Sequence, residues 1–171
     1  MKNRIITTTL IICCLLLIFT SCSRFGGGGD DSEELAENDS GAYLAYYMIF
    51  EDLYAKDPEL NENGRNIAVD LTNVRLSDKS LLIDMLQEFC DSNGYTLMLD
   101  DLVGLSQAGH IRDLLFVSGF LIIFEDVSLT PEKLVTSALK WRSALGAVGA
   151  DYTVELKNDE WVITIENEWV S

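Results

Sequence analysis

Residues Lys140 to Ser143 combine two positive charges with an aromatic ring, a combination that can bind an anion or a sugar. Lys140 and Arg142 flank Trp141, and the flexible stretch Gly146-Ala-Val-Gly149 follows within a few residues. This stretch lacks the Lys-Ser/Thr ending of a phosphate-binding loop. We therefore treat Lys140, Trp141 and Arg142 as a candidate ligand-binding set. The alternative, that Trp141 simply belongs to the hydrophobic core, is the stronger of the two.

The segment 59–70 places oxygen-bearing side chains at a spacing close to that of a calcium-binding loop. Loop positions 1, 3, 5 and 12 are Glu59, Asn61, Asn63 and Asp70, and Gly64 is at position 6. Against calcium, position 1 is Glu rather than Asp, and residues 67–70 alternate like a strand where a helix should begin. A turn rich in Asn and Gly explains the same residues. We expect no metal and no other cofactor.

Two acidic pairs are the other groups that could support catalysis. Asp100-Asp101 and Glu125-Asp126 are each adjacent in sequence. Neighbours on a strand point to opposite faces, so neither pair forms a catalytic dyad by itself. The residues therefore predict a non-enzymatic protein. The alternative enzyme would need two carboxylates that the fold brings together from separate segments.

The N-terminal segment predicts where the protein resides. Two positive charges within residues 1–4 precede an uncharged, apolar run, residues 5–19. This is the organisation of a secretory signal peptide. The run is shorter than the roughly 20 apolar residues that a transmembrane helix needs. It ends in Phe19-Thr20-Ser21-Cys22.

This ending resembles the lipobox of bacterial lipoproteins, in which small residues precede a cysteine that is lipidated and becomes the mature N-terminus. Thr20, Ser21 and Cys22 fit the pattern, whereas Phe19 stands where the family usually has Leu or another aliphatic residue. The resemblance implies removal of the signal peptide, residues 1–21, and a lipid on Cys22 that holds the protein on the outer face of the cell membrane. The alternative is an ordinary signal peptide whose Cys22 is incidental.

A flexible linker is predicted between the lipid and the folded part. Residues 22–40 contain four consecutive glycines and then a mostly acidic stretch that cannot bury enough surface to fold. The whole chain has 28 acidic against 12 basic side chains. Nucleic acid and anionic headgroups would be repelled, whereas basic peptides or basic wall components would be attracted. Solubility is the simpler explanation of this charge.

Residues 41–171 are predicted to form a single α+β domain. An aromatic-rich helix is followed by a strand, a helix and a strand, which predicts a parallel crossover unit. Two hairpins come next, one turning at Ser118-Gly119 and one at residues 157–160. Residues 131–145 fit a helix or a strand, and the alternation favours a strand. We expect a curved, mostly antiparallel sheet packed against two or three helices.

Two further resemblances concern the end of the chain. The stretch KWRSALGAVGADYTVELKNDEWVITIENEWVS, residues 140–171, resembles the C-terminal end of uncharacterised small lipoproteins of Gram-positive bacteria, and the likeness extends to residues 67–74. The closing hairpin with an inward Trp161 looks like the last hairpin of cystatin-like and NTF2-like export domains. Both imply a curved sheet packed on a helix. Neither implies an activity or functional residues.

Taken together, the sequence predicts a membrane-anchored extracytoplasmic lipoprotein that binds an envelope protein, a peptide or a glycan without catalysis. One alternative is a carboxylate-based cell-envelope enzyme, which predicts a deep pocket lined by two facing carboxylates. Another is an immunity or inhibitor-type lipoprotein that blocks a basic toxin or protease, which predicts a contiguous acidic face.

Overall fold

The computed structural model describes residues 41–171, so the predicted signal peptide, Cys22 and the linker lie outside the described residues. The helices are α1 (Ala42–Ala55), α2 (Ser80–Asn93) and α3 (Leu102–Gln107), with a 3-10 turn at Pro58–Asn61. The strands are β1 (Asn66–Asp70), β2 (Thr96–Met98), β3 (Ile111–Arg112), β4 (Leu115–Phe116), β5 (Gly119–Thr130), β6 (Lys133–Ser143), β7 (Gly146–Lys157) and β8 (Glu160–Val170). No helix in this part of the chain is both long enough and apolar enough to cross a membrane.

The strands form one mixed sheet whose four longest members, β5 to β8, are antiparallel. The order along the sheet is β2, β1, β5, β6, β7, β8, and the short strands β3 and β4 extend it at the C-terminal end of β6. β1 is parallel to both of its neighbours, β2 and β5. These features confirm the predicted α+β class and the parallel crossover. They also show that residues 133–143 form a strand, as the alternation favoured.

Helix α1 covers one face of the sheet at strands β6, β7 and β8. Its side chains toward the sheet are completely buried, among them Tyr46, Ile49, Phe50 and Leu53. They meet the inward residues of the strands in one hydrophobic cluster. The aromatic residues of this helix that point to the sheet therefore belong to the core.

Helix α2 packs beside α1 and runs in the same direction. Phe89 contacts Phe50 and Tyr54 of α1, with ring centroids 4.9 and 4.8 Å apart. Tyr54 also meets Tyr95, which directly follows α2, so the C-terminal ends of the two helices lie together. Gly94 ends α2 in the left-handed conformation, with φ of 76°, as the Asn-Gly pair predicts.

The predicted hairpin at Ser118-Gly119 is wrong. β4 pairs with β3 and β6, and residues 118–119 do not reverse the chain. The carbonyl of Ser118 instead accepts from the backbone N–H groups of Arg65 and Asn66, at 2.7 and 3.0 Å. Gly119 begins β5 beside β1, where a side chain would not fit. Gly119 therefore allows β1 and β5 to approach each other closely and does not form a turn.

Tyr152 joins the sheet to helix α1. Its hydroxyl donates a hydrogen bond to Asp52 Oδ2 at 2.7 Å. We expect Tyr152→Phe to lower the free energy of unfolding by about 1–2 kcal/mol, because a buried hydrogen bond to a carboxylate is lost. Urea denaturation measures this. Tyr95→Phe is the control, since its hydroxyl contact with Tyr54 is long, at 3.4 Å, and its removal should change little. Equal effects of the two substitutions would show that the hydrogen bond from Tyr152 to Asp52 does not stabilise the fold.

Candidate functional site

The side chain of Lys140 is buried beneath the C-terminal end of α1. Its ammonium donates to the carbonyl of Lys56, to that of Asp57 at 3.1 Å and to Asn61 Oδ1 at 3.0 Å. Burial disfavours the charged form and lowers the pKa of Lys140 to about 8. The ammonium thus binds the carbonyl oxygens of the two residues that directly follow α1. It is completely shielded from solvent.

The three residues of the predicted ligand-binding set do not come together. Arg142 lies on the same side as Lys140, and its guanidinium donates to the carbonyls of Leu60 and Glu62 at 2.9 and 2.6 Å. Trp141 points to the opposite face, where it packs against a small cluster beneath α3. Successive residues of a strand face opposite sides, which is why Trp141 is separated from its two sequence neighbours. The two cations hold the segment after α1 in place.

The candidate calcium ligands also serve local structure. Asn61 uses both ends of its amide, because it accepts from Lys140 and donates to the carbonyl of Tyr54 at 2.9 Å. Asp70 ends strand β1 and accepts from the backbone of Thr72 at 2.9 Å. Glu59 lies in the 3-10 turn, and Asn63 adopts a left-handed turn conformation with φ of 56°. Among residues 41–171, no three acidic, histidine or cysteine side chains are grouped as metal ligands.

A cleft of about 240 Å³ opens at the C-terminal ends of β1 and β2. Its three carboxylates each accept a hydrogen bond from a nearby backbone N–H. Asp70 accepts from Thr72, Asp100 from Asp101 at 2.9 Å, and Asp101 from Gly104 at 2.7 Å. These bonds shape the turns and begin α3. Local structure thus accounts for the acidic residues of this cleft.

A larger groove, of about 310 Å³, runs between helices α1 and α2. Tyr47 of α1 lines one side, and its ring stacks on Phe50 with centroids 5.8 Å apart. The other side belongs to α2, where Met85 and Phe89 lie among the polar residues Glu88, Ser92 and Asn93. Aromatic rings and a thioether form an apolar floor, and methionine adapts its shape to different partners.

Exposed leucines continue this apolar surface along each helix. Leu44 precedes Tyr47 by one helical turn and is 37% exposed. Leu81 precedes Met85 by one turn and is 53% exposed. Side chains three or four positions apart share a helix face, so each helix presents an apolar strip of about two turns. This outer strip is separate from the buried face of α1.

The two helices beside the groove are acidic. Neither helix contains Lys or Arg, whereas they carry five acidic residues between them. Four of these are exposed: Glu51, Asp84, Glu88 and Asp91. The pKa of Tyr47 is raised, first by burial and then by the charges of Glu51 and Glu88. Glu88, which lines the groove, and Glu51 are therefore the carboxylates that form its acidic rim.

A comparison of the chain with protein families, with curated proteins and with solved structures gave no match. The sequence pattern does not predict a site at Tyr47, Glu51, Met85 and Glu88. A signal was present, because residues 42–55 and 80–93 together lack any cation in a chain that has basic residues elsewhere.

Proposed function

We propose that this chain is a membrane-anchored extracytoplasmic lipoprotein whose α+β domain is a non-enzymatic binding module. The groove between α1 and α2 carries the binding half of the proposal, because it combines a half-buried apolar floor with an acidic rim. Solvent-exposed apolar surface with a polar border is typical of interaction sites. The anchor half rests on Thr20-Ser21-Cys22 at the end of an apolar leader.

Binding fits the rest of the domain better than catalysis. Lys140 and Arg142 donate hydrogen bonds to carbonyl oxygens, and the carboxylates of the cleft accept hydrogen bonds from backbone N–H groups. Cys90 is completely buried, and burial raises the pKa of its thiol to about 11. A thiol with that pKa is protonated at neutral pH, so it is a poor nucleophile. These polar groups are therefore explained by the fold.

The acidic helices favour a second candidate, an inhibitor or immunity-type lipoprotein. Such a protein would cover a basic surface of a toxin or a protease. Four exposed carboxylates on α1 and α2, with no cation between them, supply the required charge. Both candidates place the partner in the same groove. They differ in that a toxin or protease bound by an inhibitor or immunity-type lipoprotein would lose its activity.

The anchor is tested by labelling the protein with an alkyne-bearing fatty acid in a bacterium that processes lipoproteins. We expect the wild-type protein to carry the label and Cys22→Ala to lose it completely, because the lipid needs the Cys22 thiol. Mass spectrometry of the N-terminal peptide should show a chain that begins at acylated Cys22.

The matched control changes Cys13 and Cys14, the other two cysteines of the leader, to alanine. This variant should keep the label, since neither residue follows the small residues of the motif. A label that persists in Cys22→Ala, or a wild-type protein that takes up none, would refute the anchor.

A further inference from the structure

We propose that the groove between α1 and α2 binds a cationic amphipathic helix. This inference deepens the proposed function, since it names the class of partner that the binding module takes at the cell surface. An amphipathic helix binds by laying its apolar side chains into a groove and its polar face along the rim. The observations that support it are the groove's shape, its floor and its charge.

The length of the groove suits a short helix. Its lining on α2 runs from Met85 to Asn93, which is about 12 Å at 1.5 Å per residue. Helices α1 and α2 run in the same direction, and Phe89 of α2 contacts both Phe50 and Tyr54 of α1. About two turns of an incoming helix would cover the groove, with apolar side chains three or four residues apart facing Tyr47 and Met85.

Charge decides between the occupants that an apolar groove could accept. A second copy of the chain would bring the same acidic rim, so two grooves would repel each other. Residues 23–40 carry six acidic side chains and one basic one, Arg24, so this segment is also a poor occupant. Anionic lipid headgroups have the wrong sign as well. Lysine and arginine side chains are the groups that complement Glu51 and Glu88.

The acidic rim and the apolar floor of the groove contribute differently to affinity. Single ion pairs in contact with water are weak and are screened by salt, so the rim selects the sign of the partner and contributes modestly to affinity. The floor removes apolar surface from water and supplies most of the affinity. Binding should therefore need both lysine and leucine on the partner, arranged on separate helix faces.

The test uses the full-length mature lipoprotein in a neutral detergent, with micelles alone as the blank. The probe is a fluorescent 14-residue peptide of leucine and lysine in which the leucines occupy one helix face. Two further peptides are the same composition in scrambled order and the same pattern with glutamate in place of lysine. Fluorescence anisotropy reports binding, and we expect only the patterned cationic peptide to bind.

Glu51→Gln combined with Glu88→Gln should weaken this binding about tenfold at low salt, since two charge pairs are removed. The matched control is Glu125→Gln with Glu166→Gln, which removes the same charge from the sheet face opposite the helices and should leave affinity within about twofold. Met85→Gln should also weaken binding, because it removes part of the apolar floor. Thermal unfolding confirms that each variant is folded.

Equal losses in the two double variants would mean that the overall negative charge attracts the peptide, and would overturn the proposal. Absence of wild-type binding, or equal binding of the glutamate peptide, would also overturn it. These results are separate from the anchor test. A protein acylated on Cys22 that ignores the peptide refutes the groove alone, and an unacylated protein that binds the peptide refutes the anchor alone.

Discussion

Replacing Gly119 with alanine should lower the free energy of unfolding by about 3 kcal/mol, since overpacking against backbone is among the larger effects of a single methyl group. An added Cβ would lie 2.2 Å from the carbonyl oxygen of Asn66. A backbone carbonyl cannot rotate away as a side chain can, so β1 and β5 would have to separate. That pair lies in the middle of the sheet.

Gly41→Ala is the matched control for Gly119→Ala. The nearest atom to an added Cβ at Gly41 is Trp161 Nε1 at 3.5 Å, an ordinary van der Waals contact. We expect a loss of less than about 1 kcal/mol there, because Gly41 is the N-cap of α1 and alanine is less favourable than glycine at that position. Urea denaturation of both variants gives the comparison. A Gly119→Ala protein as stable as wild type would show that the two strands are farther apart than described.

Gly119 also illustrates what sequence patterns can and cannot predict. Ser-Gly between two apolar runs is typical of a hairpin turn, and the same two residues suit a close contact between strands. Which one applies depends on β1, which lies about 50 residues earlier in the chain. Long strands were predicted because their alternation is local, and Gly94 was predicted because helix ends have local signals. The insertion of β1 between β2 and β5 has no local signal.

The candidate site was harder to predict for the same reason. Tyr47 shares a groove with Met85 and Glu88 only because α1 and α2 pack side by side. The sequence shows that both helices lack cations, but it does not show that they are neighbours. For Lys140 the sequence predicted a site that the structure does not form, because Trp141 and Arg142 beside it in sequence suggested ligand binding. Its actual partners are carbonyl oxygens about 80 residues earlier in the chain.

Lys140→Met should lower the free energy of unfolding by about 2–3 kcal/mol at pH 7, because several acceptors near the end of α1 lose their donor inside the protein. Methionine fills a similar volume, so the loss measures the hydrogen bonds more than a cavity. The control on the same strand is Lys133→Met. Lys133 is exposed and pairs with Glu155 at 2.9 Å, and such surface pairs contribute between zero and about 1 kcal/mol.

The stability difference between wild type and Lys140→Met should also depend on pH. The folded-state pKa of Lys140, about 8, lies below the ordinary value of 10.5. Between these two values the unfolded chain binds more protons than the folded one, so the contribution of Lys140 to stability rises with pH. The difference should widen by about 2 kcal/mol from pH 7 to pH 10, since each pKa unit corresponds to 1.36 kcal/mol.

The subtraction removes the contributions of other groups whose pKa changes on folding, such as Tyr95, whose pKa is raised by burial to about 12, because these groups are the same in both proteins. A difference that narrows toward pH 10 would contradict the lowered pKa. It would mean that the carbonyl oxygens of Lys56 and Asp57 stabilise the charged ammonium more strongly than burial destabilises it. The direction of the pH dependence therefore shows which of the two effects dominates at the end of α1.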